Sequence, residues 1–545
     1  MSIITFLGYY FKKIHKKMGK EEPVLLTLDE LIDFGRENSD FKVLEVSPLL
    51  LSHLPDGLDP WEKIFFPLVA ALKQTSLAKT YHAYLNDLLN SDDPDKVSKA
   101  IRVLENSLGA GHNAAADLIQ FQVSGIFPRI FTIFTYLGEY GVRGLQKSTR
   151  RVEHDSYLIP SSITTPELKN EYIDLMKKVQ GVFNGVLDKA GDDKDRRKEL
   201  RELAMYVQPL SLLTTNDFQA SLRALWSLFL ESGITSNSKG DLLKIEPENG
   251  VDNYNSVLFD YSSIIFKELR KISYLLVRKW STNYNPMKLW PRTSFFSTKN
   301  EDLERIINEN INTLRQKSVV VLSHNDPLRY TKLSNDELDI KSLVSNSMDN
   351  LKMGGVDLLV FTDLSLLHEL IRHRTVRKQI EPLVVAADRT LNRMKNMGEN
   401  YDYKDFYFPK IVRENKDLLD KFKLTYKELL LFYEKLVNEG VPKQDAVIVL
   451  PHGLKVTMWL KVDFWNLVNL SGERMCYTAK SSIRTLFDRI KESIKEYESR
   501  VGINNFMSSL MHPKCYYLGK CPDIKSSIKN GLVKNGKIIC PRKDF

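Results

Sequence analysis

Two short runs rich in valine and leucine, SVVVL at residues 318–322 and VDLLVF at residues 356–361, are too brief for buried helices. They predict buried strands. The stretch LSLLHELIRHR at residues 364–374 returns Leu364, Leu367, Leu370 and Ile371 to one face. It predicts a helix, with Thr362 or Asp363 as N-cap. Residues 425–442, TYKELLLFYEKLVNEGVP, have helical spacing and end on Gly440 and Pro442 as stop signals. The apolar stretch at residues 118–137 is long enough to be considered as a membrane span, but Gln120, Gln122, Pro128 and Arg129 interrupt it. It predicts a buried strand, a turn and a buried helix. Helices alternating with a few short strands give an α/β or α+β fold, small sheets packed by helices.

The same punctuation occurs twice. YLIP, a helical stretch, VQPLSLLT and an amphipathic run are matched later by FYFP, a helical stretch, VLPHGLKVT and DFWNLVNL. Pro160 and Pro409 are 249 residues apart, and Pro209 and Pro451 are 242 apart. That period is the size of a domain, not of a solenoid repeat. The expected organisation is an extension at 1–39, a first copy at 40–310, a second copy at 311–505 and a tail at 506–545.

The length of 545 residues allows three to four domains at ~150 residues each, or two large ones. At 43% hydrophobic and 27% charged, the chain can build sizeable cores, which excludes a mainly disordered protein. Four cysteines are too few for an extracellular framework and point to a reducing, cytoplasmic setting. The net charge of +9 favours anionic partners such as nucleotides or RNA. Residues 1–20 run from an apolar start to five lysines, the reverse of a secretory signal. They predict a terminal helix docked by its aromatics; a basic amphipathic helix on a membrane or acidic partner is the alternative.

Arg372, His373 and Arg374 stand together at the end of a predicted helix. Neighbours on a helix fan about 100° apart, so the three cannot share one solvated face. Two guanidiniums and an imidazole at a buried helix end suit a polyanion such as a flavin's phosphates. The plainer alternative is a basic last turn complementing the helix dipole.

Together with the strand before it and the block DAVIVLPHGLKVTMWLKVDFWNLVNLSGERMCYTAKSSIR after it, this triplet resembles the flavin-dependent thymidylate synthases. In that family an R-H-R motif binds flavin and nucleotide. Arg474, five residues before Ala479, resembles the family's substrate-polarising arginine; Asn469 matches an asparagine near the flavin and Asp463 replaces another. The first copy resembles the complementary part: Gly111-His112 stands where the family has G-H, and Ser148 and Arg150 fit its S-x-R element. The first copy has Ser232 where the polarising arginine falls, and in the second the S-x-R element is lost at Pro382.

The resemblance implies FAD as cofactor, with dUMP, methylenetetrahydrofolate and NADPH as partners. It also implies a site composed from both copies, for which a homodimer suffices. Arg474 would polarise a pyrimidine carbonyl, Ser148 and Arg150 would hold the nucleotide phosphate, and Arg372, His373, Arg374 and His112 would border the flavin. Glu369 stands where the family often has glutamine, and its charge would repel an anionic substrate. The alternatives are a repurposed relative that binds nucleotide or RNA, and methylation of a different uracil.

The tail carries H-x2-C-x5-C-x18-C: His512, Cys515, Cys521 and Cys540. Thiolates and an imidazole in that number suit tetrahedral zinc. Ordinary buried cysteines, or an iron–sulfur cluster using Cys476 as fourth ligand, are the alternatives.

Overall fold

A computed structural model describes residues 23–37, 44–48, 60–74, 81–108, 116–137, 142–146, 155–245, 255–278, 295, 301–325, 352–373, 375–502, 506–518, 521, 533–534, 537–538 and 540. The basic extension at 1–20 lies outside them. The chain divides into two compact units that interleave along the sequence. The first comprises residues 1–298, 382–399 and 408–453; the second comprises 299–381, 400–407 and 454–545. The expected segments, by contrast, run end to end. Among the described residues no helix is long and apolar enough to cross a membrane.

The first unit holds a four-stranded antiparallel sheet of β1 (Leu44–Pro48), β2 (Gln120–Pro128), β3 (Arg143–Gln146) and β4 (Leu213–Ser221). Their spatial order is β1-β2-β4-β3. The stretch expected as strand, turn and helix has no separate turn: β2 ends at Pro128 and α1 (Arg129–Leu137) begins at the next residue. Proline removes a ladder donor, and its fixed φ suits the change from strand to helix. Phe127 stacks on Phe131 of α1 at 5.1 Å and tilts against Phe218 at 5.9 Å and Tyr261 at 5.5 Å. This buried aromatic group joins β2, α1 and β4 to a later helix of the unit.

Two long helices follow the proline-ended segments, α2 (Pro166–Leu187) and, after Pro409, Lys416–Asn438. Thr165 and Asn415 cap them, each side chain accepting from the backbone N–H three residues on. The later helix starts before the expected residue 425 and ends as expected: Gly440 has φ 85°, and Val441 N–H reaches back to Leu436 O at 2.9 Å. The two helices pack through Tyr172 and Phe432 and through ion pairs Lys178–Glu428 and Lys435–Glu171.

The two V-x-P segments pair reciprocally. Leu210 N–H donates to Leu450 O at 3.0 Å and His452 N–H to Gln208 O at 2.8 Å; Ser211 N–H donates to Ile448 O at 3.0 Å and Gly453 N–H to Tyr206 O at 2.7 Å. Exchanging residues 242 positions apart turns each bond into its mate, which places a local two-fold axis near Pro209 and Pro451. Residue 453 must be glycine, because a Cβ there would run into the Tyr426 hydroxyl.

The second unit holds a sheet of β5 (Val319–Asn325), β6 (Gly355–Asp363), β7 (Arg377–Ile380) and β8 (Lys455–Asp463), in the order β5-β6-β8-β7 and again antiparallel. The expected strands at 318–322 and 356–361 are thus present, and longer. Adding 235 to each residue of β2 and 242 to each of β4 converts the β2–β4 register, Gln120↔Ser221 to Pro128↔Leu213, into the β6–β8 register, Gly355↔Asp463 to Asp363↔Lys455. One face of this sheet packs on Leu314 of the preceding helix, with Leu359 and Phe361. Beside it Arg315 donates twice to Asp405 Oδ1, at 3.1 and 3.0 Å, and Tyr401 donates to the other oxygen at 3.1 Å.

Candidate active site

The site is built from the segments that follow β6 and β8, two antiparallel strands that end at opposite edges of the sheet. Asp363 ends β6 and caps α6 (Leu364–Leu370), its Oδ1 accepting Leu366 N–H at 2.8 Å. Burial pushes its pKa up to about 6, against the opposing charges of Lys480 and Lys455. The helix stops at Leu370, short of the expected residue 374. His373 N–H reaches Leu370 O at 3.1 Å, tightening the last turn, and β-branched Thr375 and Val376 lead into β7. Arg372 and His373 therefore lie in a turn, not on the helix as expected, and Lys378 donates to the His373 and Val376 carbonyls at 3.3 and 3.5 Å.

Across from this turn, Asp463 ends β8 and caps α7 (Phe464–Arg474). It accepts from Asn466 N–H at 2.8 Å and from Asn466 Nδ2 at 2.6 Å, while Thr375 donates to Asn466 Oδ1 at 2.5 Å. At the far end of α7, Arg474 aims Nε and Nη2 at His373 Nε2, at 3.0 and 2.8 Å. A guanidinium only donates, so this nitrogen accepts and the ring is neutral with its proton on Nδ1. Burial first, then the charges of Arg474 and Lys378, pull the His373 pKa down to about 4. Glu369 Oε2 lies 3.6 Å from Arg474 Nη1 and 3.9 Å from Arg372 Nη1. His373 also borders an apolar cavity of about 10 Å3 lined by Leu358, Leu370, Leu460 and Phe487. That is about room for one water.

The structure brings together Arg372, His373, Glu369 and Arg474. Arg374, His112, Ser148 and Arg150 lie outside the described residues. Asn469 is exposed on α7. Asp463, expected beside a cofactor, has both oxygens engaged by Asn466 and serves as the helix cap. The metal expectation finds no support: among the described residues no group of three or more His, Cys, Asp or Glu is placed to hold an ion. His512 stacks on Tyr516 at 3.9 Å, and burial and Lys491 lower its pKa to about 4. The Cys515 thiol is pushed up by burial and by Cys476, Cys540 and Cys521, which ties it to the other thiols electrostatically without forming a ligand shell. Two contributors escaped the sequence reading, Lys378 and Asn466; Lys480, next to Ala479 in the block that carries the resemblance, donates to Ser365 Oγ at 3.0 Å. Asn466 alone had a readable signal, the D-x-x-N spacing of a helix start.

A neutral imidazole that orients a guanidinium, beside a second arginine and a carboxylate, defines a site able to stabilise charge developing on a planar oxygen-bearing ligand. Residues 327–497 match the family described as "Thymidylate synthase complementing protein". The chain is similar to flavin-dependent thymidylate synthases of Pyrococcus furiosus, 23% identical over 156 residues, which cover 29% of this chain and 59% of that protein. The same holds for those of Sulfolobus acidocaldarius (26% over 134 residues, 25% and 46%) and Thermococcus onnurineus (27% over 158 residues, 29% and 59%). The chain is thus similar to flavin-dependent thymidylate synthases and spans about half the length of these relatives.

Proposed function

We propose that this chain is a flavin-dependent thymidylate synthase, methylating dUMP with methylenetetrahydrofolate as one-carbon donor and NADPH as reductant. The observation that carries the reading is Arg474, held on two hydrogen bonds by a neutral His373 inside the segment that matches the family. Uracil is a poor nucleophile at C5, and a fixed guanidinium at a pyrimidine carbonyl stabilises the enolate-like charge that makes C5 nucleophilic. No reorganisation is needed at that moment, because His373 already fixes the plane of Arg474.

The donors also fit FAD: Arg372 is 45% exposed and Asn469 projects to solvent, so both can donate to flavin oxygens. The flavin supplies the redox chemistry when bound. We further infer that the two sheets descend from one duplicated unit, and matching strand order and register support this. The first copy, through Ser148 and Arg150, would hold the nucleotide phosphate. A homodimer in the cytoplasm is the proposed assembly and setting.

Two measurements test the reading: a flavin spectrum near one equivalent per chain after purification, and formation of dTMP from dUMP. Absence of both sinks it. A repurposed relative that binds nucleotide or RNA, or modifies another uracil, is favoured by Glu369, whose carboxylate faces both arginines. Retention of uridine-rich RNA without flavin would establish that reading instead.

A further inference from the structure

The charges around Arg474 fit some ligand groups and oppose others. Arg474 spends Nε and Nη2 on His373, leaving its Nη1 edge towards Glu369. The gaps from the Glu369 oxygen to the two guanidiniums, 3.6 and 3.9 Å, are longer than hydrogen bonds. One carboxylate therefore stands between two cations as a counter-ion without claiming these guanidinium donors. Its position is set by the fold: Glu369 lies on the last turn of α6, three residues before Arg372. Glu369 is 31% exposed and Arg474 20%, so solvent screens the cluster only in part.

A ligand carbonyl and a ligand anion meet this arrangement differently. A neutral carbonyl can accept from the Nη1 edge while Glu369 keeps its place, and charge forms on it only during reaction. A phosphate or carboxylate brings its full charge within a few ångströms of Glu369, and like charges at that range repel strongly where water is scarce. We propose that Glu369 is a specificity-determining residue that makes the Arg372–Arg474 pair a reader of neutral carbonyl groups and turns away ligands that present a formed anion to it. This rests on the proposed function only in taking a uracil carbonyl as the group read. It departs from the expectation that Arg372 helps to clamp a polyanion.

The experiment uses full-length protein and two probes, inorganic pyrophosphate as the anion and deoxyuridine as the neutral carbonyl ligand, with calorimetric titration of parent, Glu369→Gln and Glu369→Asp. Glu369→Gln keeps the side chain's size and removes its charge; Glu369→Asp keeps the charge. The expected result is pyrophosphate binding at least about tenfold tighter in Glu369→Gln than in parent, about 1.4 kcal/mol. Deoxyuridine affinity should change less than about twofold, and Glu369→Asp should discriminate as parent does. Equal pyrophosphate affinity in parent and Glu369→Gln overturns the proposal, as does an equal gain for both probes. Deoxyuridine ignored by all three proteins sinks the synthase reading instead and leaves the pyrophosphate comparison to judge Glu369.

Discussion

The sheet at β1–β4 and the sheet at β5–β8 share strand order and the register of their central pair, yet they end in different chemistry. In both, a nine-residue strand runs into a helix capped by its own last residue, Ser221 in one and Asp463 in the other. The helix after β4 ends at Ser232, which is buried and shares a 2.8 Å hydrogen bond with Ser262. The helix after β8 ends at Arg474, 242 positions later, which meets His373 and Glu369. Where the first sheet has Phe127 and Phe131 stacked, the second has Thr362 and Leu366 at the positions 235 residues on. One frame is closed by aromatic packing and the other carries charge. A shared backbone plan thus does not fix what is done with it.

The largest expected effect lies in the closed frame. Phe127→Ala removes the ring on which Phe131, Phe218 and Tyr261 converge, and should lower unfolding free energy by about 3–5 kcal/mol in urea titration. Dimension for dimension, that loss should come without lower dTMP formation per folded molecule; a matching loss of activity would mean that the closed frame is not merely structural. Next comes the open frame: Arg474→Ala should cut turnover by about a hundred- to a thousandfold, the range for a lost charge-stabilising donor. Ser232→Ala, at the equivalent position, should leave turnover as it was. If the two behave alike, the contrast between the frames is wrong.

The strands were readable because valine–leucine runs of that length have few other uses, and the helix starts because cap residues preceded them. Arg372 and His373 read as helix and stand in a turn. Local periodicity continues through Ile371, whereas His373 is held by Arg474, 101 residues away, and the chain beyond joins β7, whose partner β8 is also remote in sequence. Glu369, Arg372, His373 and Arg474 were legible as candidates, but Lys378, Asn466 and the neutral state of His373 were not, since the last follows from burial and a partner 101 residues away. The zinc expectation rested on spacing alone, which says nothing of where side chains point; His512 stacks on Tyr516.

Caps offer a smaller test. Ser221→Ala and Asp463→Ala should each cost about 1 kcal/mol if the two frames are equivalent. Each cap makes a second bond, Asp463 with the Asn466 amide at 2.6 Å and Ser221 with Asp117 at 3.1 Å, and Asp463 should be the costlier because its bond is the shorter and made by a carboxylate. Smallest is the pH effect of His373. Its pKa falls from an ordinary 6.5 to about 4 on folding, so between those values the unfolded chain binds more protons. The histidine's contribution is intact above about 6.5 and is lost as pH falls towards about 4. Asp363, raised to about 6, acts in the opposite sense, its share falling as pH rises through that window. Comparison of parent with His373→Gln removes that background, and the variant should lose less stability on acidification; an unchanged slope would remove His373 from the account.

The reciprocal bonds near Pro209 and Pro451 also set a timetable for synthesis. Tyr206, Gln208, Leu210 and Ser211 are translated long before their partners Ile448, Leu450, His452 and Gly453 exist. At about 5–20 residues per second, the 242-residue delay lasts roughly 12–50 s. Throughout that interval the first unit has unpaired backbone and an uncovered face on its first long helix, because the covering helix at Lys416–Asn438 is also still to come. The nascent chain must wait on the ribosome with that seam open, a place for a chaperone to hold and for a neighbouring copy to invade.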